Sequence, residues 1–408
     1  MKRSLKYFVT ATICTATLIT GTIPAFASDK NLSDVIHSID RCDVILDQNG
    51  TVWAYRPAAG GYTEKKIALE TDVITIDDFG NYFMVQKKDG TIWEIDFDNG
   101  KPSQFYVDAD PFNGVRKIKI AQNAKTVSSN CWNIYAVTNN NAYYHIHRTG
   151  SASLLPSERY TYQKVQDNVA KVFENILYLT TDGKLYAKDI YIDVDRKFPC
   201  GQTPKPAEWT LVDTNVKDFQ ATSSAGSFSS YFYIKNDGTL YGWGNNTYGE
   251  LGSRRFGSYG IIGVGSLTPG EEVSVLMFDY DVEKIMDGVD RVEINGYVFV
   301  YKKDGSIWQM GSSTPATATV NEKGALLAPK LPNDGKPVKV DAATVRQYDG
   351  FYSGVTERTY KIDATGGIIV SGPYAVAKIP DPQNILPYLW DMKTVTNHKI
   401  NGITVSLS

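Results

Sequence analysis

Apolar and polar positions alternate along most of the chain in short runs, each bounded by Gly, Pro, Asn, Asp or Ser. No long helical pattern with apolar residues three and four apart interrupts them. The clearest stretch is Tyr231 to Gly252, YFYIKNDGTLYGWGNNTYGELG. It predicts an apolar strand, a tight Asn-Asp-Gly turn, a second strand ending in Trp243, and a Gly-rich exit. Gly238 suits a turn position with positive φ, where a side chain would clash. The flanking runs carry the aromatic and β-branched residues of a half-buried hairpin.

The hairpin recurs. Aligned on the turn, Gly50, Gly90, Asn141, Gly183, Gly238, Gly305 and Gly366 make seven units. Asn is the non-glycine residue that best tolerates the left-handed region. Three positions later stand Trp53, Trp93, Tyr144, Tyr186, Tyr241, Trp308 and Ile369, so six of seven are large aromatics in register. A Val-x-x-apolar segment precedes several hairpins: Val73–Ile76, Val169–Val172, Val216–Phe219 and Val282–Ile285. A short apolar run follows most of them: Lys66–Leu69, Gln104–Val107, Tyr162–Val165, Trp209–Val212, Val273–Leu276 and Ala375–Ile379. Four short strands per unit, repeated seven times, predict an all-β fold, a seven-bladed β-propeller of four-stranded blades. A β-sandwich of unrelated hairpins would lack an aromatic at one fixed offset from every turn.

The run from Asp237 to Gly252, DGTLYGWGNNTYGELG, resembles the repeat of the regulator of chromosome condensation family. The fifth unit matches nearly in full, and the sixth keeps Asp304-Gly305-Ser-Ile-Trp-Gln-Met-Gly311. The other units keep the turn and the aromatic but lose the Gly-rich exit. The resemblance spans about residues 34 to 380. It implies a seven-bladed propeller that serves as an interaction platform. The family includes nucleotide-exchange factors, kinase and ligase modules, and secreted bacterial members, one of them a β-lactamase inhibitor. Such breadth specifies a fold and leaves the partner open.

Residues 1–27 have the pattern of a secretory signal: Lys2, Arg3 and Lys6, an uncharged apolar stretch from Tyr7 to Ile23, and Ala25-Phe26-Ala27 as the cleavage site. The alternative is an uncleaved anchor, which the threonines and that site disfavour. Cleavage leaves residues 28–380 for the propeller and 381–408 as a C-terminal tail, with strand-like segments near Val395 and Ile403–Leu407 that would close the ring or pack across one face. The expected location is outside the cell or on its envelope, with no stable membrane insertion after cleavage. Without Lys2, Arg3 and Lys6, the 42 basic residues become 39 against 45 acidic ones, a net of −6. A mildly acidic chain without a basic block has no electrostatic footprint for nucleic acid. An exported protein also does not meet a cytosolic GTPase. Cys42, Cys131 and Cys200 show no metal-ligand spacing and read as buried, unpaired thiols.

Candidate chemistry is sparse. Sialidase-like propellers carry an acid two residues before the turn glycine. Here Asn49, Asp89, Asp182, Asp237 and Asp304 stand one residue before it, where they cap the turn. His145 and His147 share a strand face, but no third metal ligand is evident in the sequence, and they read as part of a half-exposed edge strand. The acidic clusters at Asp108–Asp110, Asp189–Asp195, Glu271–Glu272 and Asp279–Asp281 match no calcium loop. No nucleophile elbow occurs. No cofactor and no metal are expected. Loops on a rigid scaffold remain the place for function. Candidate binding residues are Phe256 and Tyr259 in the insert after the fifth turn, and Phe351 and Tyr352 between Gly350 and Gly354, read as a loop tip. The expectation is a secreted, non-enzymatic scaffold that binds a protein through one face. Attachment to envelope polysaccharide by aromatic stacking is one alternative, and a hydrolase with an unrecognised carboxylate pair is another.

Overall fold

The computed structural model describes the chain from Ile36 to Ser406, apart from residues 57–64, 97–114, 151–155, 189–197, 223–228, 253–257, 263–266, 354–357, 363–367, 372–397 and shorter breaks. The predicted signal segment therefore lies outside the described residues, as do Cys131 and most of the tail. Among the described residues, no helix is long and apolar enough to cross a membrane.

The described strands form seven sheets that follow one another along the chain. The first contains β1 (Ile36–Ile39), β2 (Cys42–Leu46), β3 (Val52–Arg56) and β4 (Lys65–Glu70). The second contains β5 (Val73–Asp78), β6 (Tyr82–Lys87), β7 (Ile92–Asp96) and β8 (Arg116–Ala121). The third contains β9 (Ala124–Asn130), β10 (Asn133–Thr138), β11 (Tyr143–Arg148) and β12 (Tyr160–Gln166). The fourth contains β13 (Val169–Phe173), β14 (Leu177–Thr180), β15 (Leu185–Ala187) and β16 (Thr210–Asp213).

The fifth sheet is built on β17 (Val216–Ala221), β18 (Ser230–Lys235), β19 (Leu240–Asn245) and the long β21 (Glu272–Met286). Its insert adds β20 (Ser258–Ile261) and β25 (Thr317–Thr319), both paired to β21. The sixth contains β22 (Val289–Asn295), β23 (Tyr297–Lys302), β24 (Ile307–Met310) and β26 (Val338–Val340). The seventh joins β27 (Gly350–Ser353), β28 (Arg358–Ile362) and β29 (Ile368–Ser371) to the tail strands β30 (His398–Ile400) and β31 (Ile403–Ser406). There β31 runs parallel to β29. Each of the first four sheets, and the sixth, is an up-and-down antiparallel meander of four strands, the blade of a β-propeller.

Two compact units result, residues 1–165 with 342–408, and residues 166–341. Within each unit, neighbouring sheets bury one another's faces. Met84, Ile92 and Ile120 of the second sheet pack on Ala124, Ile134, Ala136 and Ile146 of the third. Leu177, Leu179 and Leu185 of the fourth pack with Phe219, Tyr233 and Trp243 of the fifth. Phe232, Ile234 and Leu240 then pack with Val292, Val298 and Val300 of the sixth. The second strand of a blade is covered on both faces, so β6, β10, β14, β18 and β23 are near-continuous apolar runs without alternation.

The repeat's residue choices have a local cause. The carbonyls of Gly50, Gly90, Gly183 and Gly238 each accept a hydrogen bond from the first residue of the next blade: Val73, Ala124, Val216 and Val289, at 2.8–2.9 Å. This joint brings the next backbone close. A Cβ on Gly50 would lie 2.8 Å from the Val73 carbonyl oxygen, at φ +86°. The aspartates before the turns do cap them. Asp89 accepts from the Thr91 amide (2.9 Å) and hydroxyl (2.6 Å), and Asp304 does the same with Ser306 (2.9 and 2.6 Å). The hydroxyls in turn accept from the indole N–H of Trp93 (2.9 Å) and Trp308 (3.1 Å). These bonds tie turn and aromatic together at a fixed offset. In other blades the aromatic stacks across strands instead, Tyr178 on Tyr186 and Tyr233 on Tyr241.

Two strand expectations need correction. Val282–Ile285 does not open the sixth sheet. It lies within β21 and pairs with β19, because β21 runs unbroken for 15 residues and Gly288 supplies the turn into β22. The fourth strand of the second sheet is Arg116–Ala121, whose alternating pattern is rich in Lys and Arg, whereas Gln104–Val107 lies outside the described residues.

Candidate functional site

One end of the second and third sheets carries a dense polar cluster, at the end of the strands opposite the repeat turns. Glu94 and Asp96 alternate onto the same face of β7. The hairpin from β9 to β10 ends nearby in Trp132, and β11 ends in Arg148, whose amide donates to the Trp132 carbonyl at 2.9 Å. Arg159 and Tyr160 arrive at the start of β12.

Glu94 has no solvent exposure. It accepts from Arg159 Nε at 3.0 Å and from Arg148 Nε and Nη2 at 3.4 and 3.3 Å. Arg159 Nη2 and the Tyr160 hydroxyl also donate to it. Asp96 takes Arg116 Nη2 at 2.6 Å and Arg159 Nη2 at 3.4 Å. Burial works against the charge of Arg159, but the hydrogen bond and charge of Glu94 outweigh it and raise its pKa. Burial, then the Glu94 charge, pushes the Tyr160 hydroxyl far above the usual tyrosine range, so it stays a donor. Three guanidinia face two carboxylates, and both oxygens of Glu94 accept hydrogen bonds. Together they form a buried ionic foundation beneath the surface.

Above this foundation the surface is aromatic. The Arg148 guanidinium lies 4.0 Å from the centre of the buried Tyr82 ring and 5.6 Å from that of Trp132. Trp132 is 50% exposed, the most open of the large hydrophobic side chains in the described core and surface. A tryptophan held beside a fixed guanidinium offers a large contact area with little rotamer entropy to lose.

The residues singled out from the sequence fall elsewhere. Phe256 lies outside the described residues. Tyr259 is on β20, 39% exposed, near exposed Ile261 and Ile262. Among the described strands, β20 pairs only with β21, so it forms an edge. Phe351 and Tyr352 are not at a loop tip. They lie in β27, opposite Tyr360 and Thr359 of β28, where their high strand preference prevails over the flanking glycines. Tyr259 belongs to one compact unit and Phe351 and Tyr352 to the other.

His145 and His147 also depart from expectation, because β11 is an inner strand between β10 and β12. Cys200 is a free thiol whose Sγ donates to the Leu211 carbonyl at 2.7 Å. Glu272 accepts from the Thr317 hydroxyl and Asp279 from the Asp281 amide, which gives those acids local structural work. Among the described residues, no three His, Cys, Asp or Glu side chains converge as a metal site. Sequence reasoning missed Trp132 and Arg148 because they lie at strand ends outside the repeat's fixed offsets.

Residues 224–250 match the family model for the regulator of chromosome condensation (RCC1) repeat. No curated protein matches the sequence. Among solved structures, the chain is similar to that of Kap60 bound to yeast RCC1 (Prp20), with 13% identity, 76% of this chain and 73% of that chain covered, and a TM-score of 0.42. It is similar to Prp20p from Saccharomyces cerevisiae, with 13% identity, coverage of 75% and 77%, and a TM-score of 0.41. For human WBSCR16 the values are 15%, 76% and 79%, and 0.40. The chain thus carries an RCC1 repeat at residues 224–250, within a fold of four-stranded propeller blades.

Proposed function

We propose that the protein is a secreted, non-enzymatic scaffold, a seven-bladed propeller that binds another protein through the ends of its blades. The observation that carries this reading is Trp132, half-exposed beside Arg148, whose guanidinium is fixed from below by Glu94 and Tyr82. Tryptophan and arginine dominate the energetics of protein interfaces when their rotamers are set before binding. The rigid foundation means little shape change on association. The same half-exposed indole also suits stacking on a sugar ring, which makes envelope polysaccharide the second reading.

The test is affinity capture with residues 28–408 and the Trp132→Ala variant, offered secreted and envelope proteins and, separately, insoluble wall polymer. The expected result is one saturable protein partner, with binding reduced at least tenfold in the variant while its far-ultraviolet circular dichroism is unchanged. Retention on polymer alone, released by soluble glycan, would overturn the protein-binding reading in favour of the second.

A further inference from the structure

We propose that the Trp132–Arg148 surface recognises a carboxylate: an Asp or Glu side chain beside an apolar residue, on an acidic segment of another protein. The inference rests on the reading that this surface binds a protein, and it names what is recognised there. Arg148 commits one edge of its guanidinium to the foundation, with Nε and Nη2 donating to Glu94 at 3.4 and 3.3 Å. That side-on pairing leaves the end-on edge, made by Nη1 and the second N–H of Nη2. Among the described residues, no acceptor meets Nη1. Stacking on Tyr82 at 4.0 Å uses the face of the guanidinium and keeps that edge open. Two parallel N–H groups match the two oxygens of a carboxylate.

The charge of the cluster leads to the same ligand. Arg116, Arg148 and Arg159 face Glu94 and Asp96, so these described groups hold one positive charge in excess. Donors are in excess as well. Arg116 Nε is buried without an acceptor, and the Trp132 indole N–H has none among the described residues. Arg159 is sealed, with 1% of its side chain exposed, whereas Arg148 keeps 13%. Arg148 therefore joins solvent access to an unused edge, beside the half-exposed Trp132.

The excess charge and the chemistry of the two side chains select the anion. A carboxylate carries one negative charge and balances the cluster; a phosphorylated side chain carries about −1.5 to −2 and overshoots it. Trp132 and Arg148 are donors only. A carboxylate is an acceptor only and loses nothing on them. The hydroxyls of a sugar ring are donors too, and these side chains offer them no acceptor, so their desolvation is not repaid. An acidic peptide also brings an apolar side chain next to its acid, which covers the indole and shields the ion pair from water.

The test selects short random peptides displayed on phage against residues 28–408, after depletion on the Trp132→Ala variant, so that Trp132-dependent binders remain. The expected result is enrichment of Asp or Glu next to an apolar residue. The synthetic peptide of the strongest clone should lose at least tenfold in affinity when its acid is changed to the amide. In Arg148→Gln the same peptide change should cost less than twofold. Glu94 keeps Arg159 and Tyr160 in that variant, and circular dichroism checks its fold. If the variant does not fold, the change in the peptide decides alone. Trp132-dependent peptides without an acid, or an amide that binds equally well, would overturn the proposal and leave protein binding by this surface standing. The absence of any Trp132-dependent peptide would overturn both. Oligogalacturonate that displaces the labelled peptide at lower concentration than the unlabelled peptide does would assign the edge to an acidic polysaccharide and overturn the proposal.

Discussion

Glu250 offers a test of how the Gly-rich exit of the fifth unit is built. The exit is pinned from several sides: the Gly311 amide donates to the Gly249 carbonyl at 3.1 Å, the Ala316 amide to the Thr247 carbonyl at 2.6 Å, and the Leu251 amide to Asn246 Oδ1 at 3.0 Å. Glu250 is held within this loop, its Oε2 accepting the Tyr248 amide at 2.9 Å. Burial pushes its carboxyl from the usual 4.5 up to about 7, against the pull of the backbone amides of Glu250 and Tyr248. A raised carboxyl pKa means that the folded state holds the proton more tightly than the unfolded chain. Stability then falls as pH rises from 4.5 to 7 and stays reduced above 7. The interval from 4.5 to about 7, at 1.36 kcal/mol per pKa unit, is about 3.4 kcal/mol in size. Glu250→Gln keeps the acceptor oxygen and removes the ionisation. Urea denaturation should therefore show wild type and variant nearly equal at pH 4.5 and the variant more stable by about 2–3 kcal/mol at pH 8. A stability difference that is the same at both pH values would refute the reasoning, because a packing change has no reason to follow the titration.

Two further variants probe the blades. Gly244→Ala should destabilise the fifth sheet by about 2–4 kcal/mol, since φ is +105° and the new Cβ would stand 2.4 Å from the Ser229 carbonyl oxygen; a denaturation midpoint within error of wild type would contradict the close approach. Glu94→Gln should lower stability by about 3–5 kcal/mol because Arg159 and Arg148 lose their buried counter-charge. A loss below about 1 kcal/mol in the same denaturation assay would show that water reaches the cluster.

The repeat was legible because its cause is local. Asp89, Gly90, Thr91 and Trp93 interact within one turn, through bonds spanning two residues, and the same pattern recurs at Asp304 to Trp308. Less visible was a second turn position. Asp72, Asn123, Asn168, Asn215 and Gly288 stand just before first strands with positive φ, and their carbonyls accept from turn residues of the same blade. Mixed Asp, Asn and Gly serve equally well there, so no single letter repeats. Strand assignment failed at Val282–Ile285 for a related reason: an apolar run shows the capacity to pair and leaves the partner open.

The candidate site follows the opposite rule. Glu94 and Arg148 are 54 residues apart, and Glu94 and Arg159 are 65 apart. Nothing in their separate sequence neighbourhoods distinguishes them from solvated surface charges. Likewise, His145 and His147 are adjacent on a strand face by periodicity alone, but Asn133 joins them only through the register of β10 against β11. The amino-acid sequence by itself determined the blade, because turns, caps and strand faces depend on contacts a few residues apart. Tertiary structure decided which polar side chains meet, because those contacts require separate strands and sheets to be brought face to face.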